Sequence, residues 1–146
     1  MSWVISVDDN PSPEDLRAIA DGLTRHALPV TQVPGFQRVA VLARDEQAAL
    51  IGGAVGAINW NWLHVALLWV SEERRHTGLG SRLLDELEEV ATRRGCTHAH
   101  LDTFSYQARP FYERRGYRVF GTLDDYPSGH QRFFMARPLR GADTAR

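Results

Sequence analysis

Residues 62–95 limit what this chain can fold into more than any other stretch. They read as an apolar strand, WLHVALLWV, then a polar loop, SEERRHT, then two glycines that open a helix. Apolar residues recur in that helix at a spacing that places them on one face. They are Leu79, Leu83, Leu84, Leu87, Val90 and Ala91. Gly95 follows where helices often end in a left-handed residue, so the pattern predicts a strand, a loop and a closed amphipathic helix.

The start of this helix has the chemistry of an anion site. The first N–H groups of a helix have no partner within it and carry partial positive charge, so they bind phosphate readily. Gly78 and Gly80 have no Cβ, which lets an anion approach the backbone, and Arg74 and Arg75 add full charges nearby. The alternative is a helix entered through a glycine turn beside solvated arginines. These residues alone leave both interpretations open.

Two other phosphate-binding motifs fit poorly. A Walker loop requires a lysine, and all 17 basic residues of this chain are arginine. A dinucleotide-binding fold would use Gly78 and Gly80, with Asp102 on the ribose. However, Leu83 stands where the third glycine belongs, and only 44 residues follow Asp102, too few for the remaining βα units. The first motif is excluded and the second is disfavoured.

Arg75-His76-Thr77-Gly78-Leu79-Gly80 resembles the Q/R-x-x-G-x-G/A signature of the GNAT superfamily of acyl-CoA N-acyltransferases. A second signature of that family is similar to residues 108–117, where Ala108 precedes Tyr112 by four residues and Gly116-Tyr117 follows. The two motifs occur in the family's order and at its usual separation. The resemblance covers about residues 62–120.

This resemblance implies an α/β fold, classed as α+β in some schemes. It is a single-domain, mixed, mostly antiparallel and twisted sheet of about seven strands, flanked by about three to four helices. One central parallel pair of strands is splayed apart. The domain is expected to span residues 1–140, with residues 141–146 as a flexible C-terminal tail. Sequence patterns predict strands at 3–7, 38–44, 48–58, 62–70, 97–103, 117–123 and 131–139, and helices at 12–27, 79–94 and 107–115. Residues 28–36 are predicted to be a loop.

Composition is that of a globular protein: 146 residues, 43% of them hydrophobic and 24% charged. A net charge of −1 means that the chain has no excess of positive charge of the kind that binds nucleic acid. No apolar run reaches membrane length, so we expect a cytoplasmic protein without membrane contact. Cys96 alternates with His98 and His100 on one strand. One strand can hardly supply a closed tetrahedral site, so no metal is expected.

The family resemblance implies that acetyl-CoA is bound as acetyl donor. Its pantetheine arm is expected to enter the gap beside strand 62–70, and its phosphates to lie on the glycine loop. Ser105 stands where the family often has asparagine, which weakens the argument for a side-chain contact there. The implied cofactor-binding residues are Leu68, Trp69, Val70, Arg75, His76, Thr77, Gly78, Leu79, Gly80, Ser81 and Ser105.

Tyr112 matches the tyrosine that protonates the leaving thiolate in many family members. A phenol with a pKa of about 10 can donate a proton to a thiolate of comparable basicity. The alternative is that Tyr112 packs in the core with Phe111. A backbone N–H near Val70 is the expected oxyanion donor.

The general base is not determined by the sequence. His130 is the preferred candidate because its loop often walls the acceptor site in the family, and ordered water is an equal alternative. The other candidates are His64, Glu72, Glu73 and Asp125.

The sequence therefore predicts an N-acetyltransferase that uses acetyl-CoA and a primary amine of a small molecule or peptide. Asp124 and Asp125 would suit a cationic acceptor, although paired aspartates are also common in turns. The alternative function is a non-catalytic acyl-CoA-binding or acyl-CoA-sensing module. The oligomeric state stays open, with a homodimer as one alternative.

Overall fold

The computed structural model describes residues 2–31 and 36–140, and it describes side chains in the first helix only up to residue 26. The chain divides into two compact units, residues 1–35 and 36–146. None of the helices in the described ranges is both long and apolar enough to cross a membrane.

The first unit contains helix α1, Pro13–Thr31. Ser12 caps it, since its Oγ accepts the backbone N–H of Asp15 at 3.0 Å. The helix continues past residue 27, so the predicted loop is wrong for residues 28–31. It is also wrong for Phe36, which begins a strand, while residues 32–35 lie outside the description. The loop was predicted from the two prolines and the glycine of residues 28–36, and nothing in the described residues explains why the helix passes through Pro29.

Residues 3–7 were predicted to be the first strand, and this is wrong for the structure described. They adopt no strand, and their large side chains are exposed. The run WVISV has no alternation of apolar and polar residues, and a strand is stable only when a partner takes up its backbone hydrogen bonds.

The second unit is built on a six-stranded sheet, one strand fewer than expected for the whole chain. Its strands are β1 (Phe36–Arg44), β2 (Leu50–Asn59), β3 (Trp62–Val70), β4 (His98–Phe104), β5 (Arg118–Asp124) and β6 (Gln131–Pro138). Their order is β1-β2-β3-β4-β6-β5, and only the β3–β4 pair is parallel. Helix α2 (Leu79–Arg93) joins that pair, and α3 (Arg109–Arg114) lies between β4 and β5. The predicted mixed, mostly antiparallel architecture is confirmed.

Helix α2 packs closely on the sheet because β2 carries glycines beneath it. A Cβ added at Gly56 would lie 2.8 Å from a methyl carbon of Leu63 and 3.2 Å from one of Leu87. A Cβ at Gly52 would lie 3.1 Å from Leu83. The glycines of β2 are thus sites of close approach, a common reason for glycine within a strand. The buried leucines of α2 and the inward residues of the strands form one core.

A buried charged cluster ties α2 to the closing strands. The hydroxyl of Tyr117 donates to Glu88 Oε2 at 2.6 Å. Arg137 lies 3.5 Å from the other carboxylate oxygen and also donates to the carbonyl of Arg115 at 2.6 Å. Burial raises the pKa of Glu88 above its ordinary value, against the opposing effects of Tyr117 and Arg137. The carboxylate therefore depends on both donors.

Candidate active site

The parallel pair β3–β4 opens into a gap. Pairing joins Trp62 to His98, Leu63 to Ala99 and His64 to His100, and no later pair between these strands is found among the described residues. Both strands continue for several residues beyond this point, each paired to its other neighbour. Those backbone groups of β3 from residue 65 onward that are not bonded to β2 therefore face the gap, as the predicted splay requires.

The glycine loop lies where β3 ends. Arg75 donates from Nε to the carbonyl of Val70 at 3.2 Å, and Thr77 donates from Oγ1 to the carbonyl of Arg74 at 2.6 Å. His76 adopts a positive φ of 64°. These contacts fold the loop back against the end of β3 and direct it into α2.

The start of α2 is open to an anion. Gly78 precedes the helix with φ 87°, a conformation that favours glycine, and no atom lies within 4 Å of where its Cβ would be. Among the described residues no side chain caps the helix there, and its first turn contains no acidic residue. The first helical N–H groups, beginning at Leu79, Gly80 and Ser81, thus remain available to a ligand.

Helix α3 brings Tyr112 next to this site. Phe111 lies 3.9 Å from the position that a Cβ on Gly80 would take, so α3 touches the start of α2. Tyr112 follows Phe111 and is buried, with edge contacts to the rings of Phe111 and Tyr117 at 5.1 and 5.8 Å. Tyr112 thus packs in the core with Phe111, as the alternative interpretation of the sequence proposed.

The hydroxyls of the two buried tyrosines differ. The hydroxyl of Tyr117 is bound to Glu88, whereas no hydrogen bond joins that of Tyr112 to another residue in the described ranges. Burial, and secondarily the negative charge of Asp102, raises the pKa of Tyr112 above its ordinary value of 10. Tyr112 is therefore protonated at neutral pH and has a proton to donate.

His130 and Ser105 meet at the end of β4. Ser105 Oγ lies 3.4 Å from His130 Nδ1 and accepts the backbone N–H of Gln131 at 3.0 Å. The serine hydroxyl is thus used to join β4 to β6. No contact within the described ranges links His130 to Tyr112 or to the glycine loop, so the predicted acid and base are not brought together directly.

The other candidate bases differ in their surroundings. Glu72 and Glu73 are exposed in the loop. Asp125 Oδ1 accepts the backbone N–H of Gly129 at 3.0 Å, and Asp124 Oδ1 accepts Gln131 Nε2 at 2.7 Å. Asp125 has the hydrogen bond of an ordinary turn residue, whereas Asp124, the last residue of β5, bonds to its cross-strand partner on β6.

His64 has a partner that the sequence analysis missed. Its ring stacks on that of His100 at a centroid distance of 4.7 Å, at the last paired position before the gap. Burial first, then the neighbouring His64, lowers the pKa of His100. The alternation of His98 and His100 was a visible signal, but the register of β3 against β4 was needed to reveal this pair.

The described residues contain no group of three or more His, Cys, Asp or Glu side chains that could hold a metal ion. A cavity between α2 and β6 lies elsewhere, lined by Glu88, Arg137 and their neighbours, and it includes none of the predicted site residues.

Comparison with known proteins agrees with this geometry. The model of the acetyltransferase (GNAT) family matches residues 12–117. Blasticidin-S acetyltransferase of Streptomyces morookaense is 38% identical over 92% of this chain and 94% of its own. An acetyltransferase of Agrobacterium fabrum strain C58 is 34% identical over 88% of this chain and 93% of its own. The crystal structure of an acetyltransferase from Bacillus cereus superposes with a TM-score of 0.81 at 32% identity, covering 92% of this chain and 98% of that one. The chain belongs to the GNAT family and is an acyl-CoA-dependent N-acyltransferase.

Proposed function

We propose that this protein transfers the acetyl group of acetyl-CoA to a primary amine of a small molecule or peptide. The observation that carries the proposal is the gap between β3 and β4 beside an uncapped helix start. A small-molecule acceptor is favoured by a curated relative of similar length, which is named for acting on blasticidin S.

Acetyl-CoA would lie along the gap. Its pantetheine amides would pair with backbone groups along Leu68, Trp69 and Val70, because the backbone groups of a strand alternate in direction and those not bonded to β2 face the opening. Its phosphates would bind the N–H groups at Gly78, Leu79, Gly80 and Ser81, with Arg75, His76 and Thr77 forming the loop around them. Arg75 is anchored on Val70, which keeps its positive charge close to the helix start. Ser105 is a weaker candidate because its hydroxyl already binds Gln131.

The chemical step needs a neutral amine. Its nitrogen attacks the thioester carbon, the carbonyl oxygen becomes an oxyanion near the backbone of Val70, and the C–S bond then breaks. Tyr112 gives its proton to the departing thiolate, which leaves as the free thiol of CoA. His130, or a water that it orders, accepts the proton that the amine loses. Tyr112 later regains a proton from solvent, so the step is balanced without a metal or a redox partner.

The test compares the same substitution at two neighbouring buried tyrosines. Tyr112→Phe should lower kcat by about 10²- to 10⁴-fold, the usual contribution of a general acid, while the Kd for acetyl-CoA is unchanged. Tyr117→Phe is the matched control: its hydroxyl serves the Glu88 cluster, so it should lower stability and keep turnover at a temperature where the protein is folded.

Thiol release is measured with a thiol reagent and acetyl-CoA binding by calorimetry. Equal kcat for Tyr112→Phe and the unmodified protein would refute the role of Tyr112. Binding of acetyl-CoA without thiol release, across a panel of amines, would instead refute the proposed reaction and support a sensing module. A homodimer remains a prediction, to be checked by light scattering.

A further inference from the structure

The end of β4 carries a continuous row of rings, which we call the ring patch: Phe104, Tyr106, Tyr126 and His130. Tyr106 stacks on Phe104 at 5.4 Å with 12° between the ring planes. Tyr126 lies against Phe104 at 5.8 Å, and His130 contacts Tyr106 edge-on at 5.1 Å. Tyr106 is 57% exposed and Tyr126 is 45% exposed, so the row has open ring surface.

Two turns hold the ring patch in place. Gln107 donates its N–H to the carbonyl of Phe104 and accepts the N–H of Phe104 on Oε1, which closes a turn around Tyr106. In the β5–β6 loop, Tyr126 donates its N–H to the carbonyl of His130 at 3.0 Å. The rings are therefore ordered before any ligand arrives, which lowers the entropy cost of stacking a ligand on them.

The positive charge of Arg132 limits the kind of ligand that can bind to the ring patch. Its guanidinium lies 5.4 Å from the Phe104 centroid and 5.0 Å from that of Tyr126, and it is paired with Asp102 at 2.8 Å. Cations prefer the faces of rings, and Arg132 already takes that position on these two. A second cation on the same rings would be repelled by the positive charge of Arg132, whereas a neutral planar ring would not be repelled.

The ring patch lies on the acceptor side of the proposed reaction. His130, the proposed base, is itself a member of the ring patch. Asp102, which holds Arg132, also contributes to the raised pKa of Tyr112. The exposed carboxylates of Asp124, at the end of β5, and of Asp125, in the same loop as Tyr126, attract an ammonium group. We infer that the acceptor is an aryl-alkyl amine, whose planar ring stacks on Tyr106 and whose amine, on a short linker, reaches His130. This inference rests on the proposed function and specifies its substrate class.

The test uses two amines that differ only in ring character, 2-phenylethylamine and 2-cyclohexylethylamine, with 1,4-diaminobutane as a cation without a ring. Binding to the full-length protein saturated with CoA is measured by calorimetry, and kcat/KM is measured with acetyl-CoA. An aromatic stacking contact is expected to favour the phenyl compound by about two- to tenfold in both measurements.

Three variants check that Tyr106 is responsible. Tyr106→Leu should remove the preference for the phenyl compound, and Tyr106→Phe should keep it. Phe36→Leu, at an exposed ring at the start of β1, should leave the preference unchanged. Equal binding of the phenyl and cyclohexyl amines would overturn the inference, and so would tighter binding of 1,4-diaminobutane than of either.

Different results would refute the ring inference and the proposed function. Thiol release with amines of every kind, without ring preference, would overturn the ring inference and leave the proposed function standing. A ring preference in binding that depends on Tyr106, without thiol release from any amine, would support the ring inference and overturn the proposed reaction.

Discussion

Replacing Tyr117 with phenylalanine tests the energetic role of the buried Glu88 cluster. Tyr117 is 1% exposed and Glu88 is 8% exposed, and their hydrogen bond of 2.6 Å is charge-assisted. The substitution keeps the ring and removes the hydroxyl, so it leaves the carboxylate with Arg137 at 3.5 Å. A hydrogen bond to a buried charged group contributes about 1.5–3 kcal/mol, so we expect the free energy of unfolding at pH 7 to fall by about 2 kcal/mol.

The size of this loss should depend on pH. Burial raises the pKa of Glu88 in the folded protein above its ordinary value of 4.5. The folded protein therefore binds this proton more readily than the unfolded chain does, and the resulting stabilisation is present below pH 4.5 and is lost as pH rises through the folded pKa. The Tyr117 hydrogen bond favours the carboxylate and lowers that pKa. Its removal should raise the folded pKa further, so the deficit of the variant is larger at pH 7 than at pH 4, where a neutral hydrogen bond of about 1 kcal/mol is lost instead.

The assay is urea denaturation of both proteins at pH 4 and pH 7, supported by thermal melts. For a chain of this length a loss of about 2 kcal/mol corresponds to a melting point lower by about 6 °C. Tyr112→Phe is the control, because its hydroxyl has no hydrogen bond to another described residue and should affect stability little. A deficit under about 0.5 kcal/mol at pH 7, or one that is equal at the two pH values, would refute the reasoning.

Two further predictions concern packing and protonation. Gly56→Ala should destabilise the protein by about 1–3 kcal/mol, because its Cβ would enter the space of core leucines. Gly22→Ala lies in a helix, where its Cβ would meet only the flexible Arg25 guanidinium at 4.0 Å, and should instead stabilise by about 1 kcal/mol. Urea midpoints that move in the same direction for both variants would contradict this. The pKa of His100 is lowered in the folded protein, so the unfolded chain binds the proton more readily and the free energy of unfolding falls as pH drops through the ordinary histidine value. His100→Phe keeps a ring against His64 and should make this fall between about pH 7.5 and 5.5 less steep. An unchanged pH dependence of the free energy of unfolding would show that other groups cause it.

Local pattern was enough to predict most of the second unit. The apolar spacing from Leu79 to Ala91 predicted α2, because a helix of that length has few other ways to bury such a stripe. The parallel pairing of β3 with β4 was implied by the family resemblance, and it agrees with the right-handed crossover expected of a helix that joins two neighbouring strands. Gly95 follows α2 in a left-handed conformation, as its position indicated, and Gly116 adopts such a conformation after α3. In each case residues near one another in sequence contain the information.

The features that were missed depend on long-range pairing. The stack of His64 on His100 is set by strand register, which neither strand encodes by itself. The contact of Tyr126 with Phe104 requires that the β5–β6 loop return to the end of β4. A single sequence gives the composition of such loops but not their neighbours, so the acceptor side was harder to predict than the glycine loop.

The gap between β3 and β4 also affects how the protein avoids self-association. Beyond His64 and His100 the sheet has two edges in its interior, in addition to those at β1 and β5. Exposed strand edges are templates for strands of other chains, and natural sheets shorten, charge or cover them. These interior edges diverge, so a strand added to one cannot also bond to the other. An extended ligand with amide groups can enter from the open end and lie against such an edge as a short extra strand would.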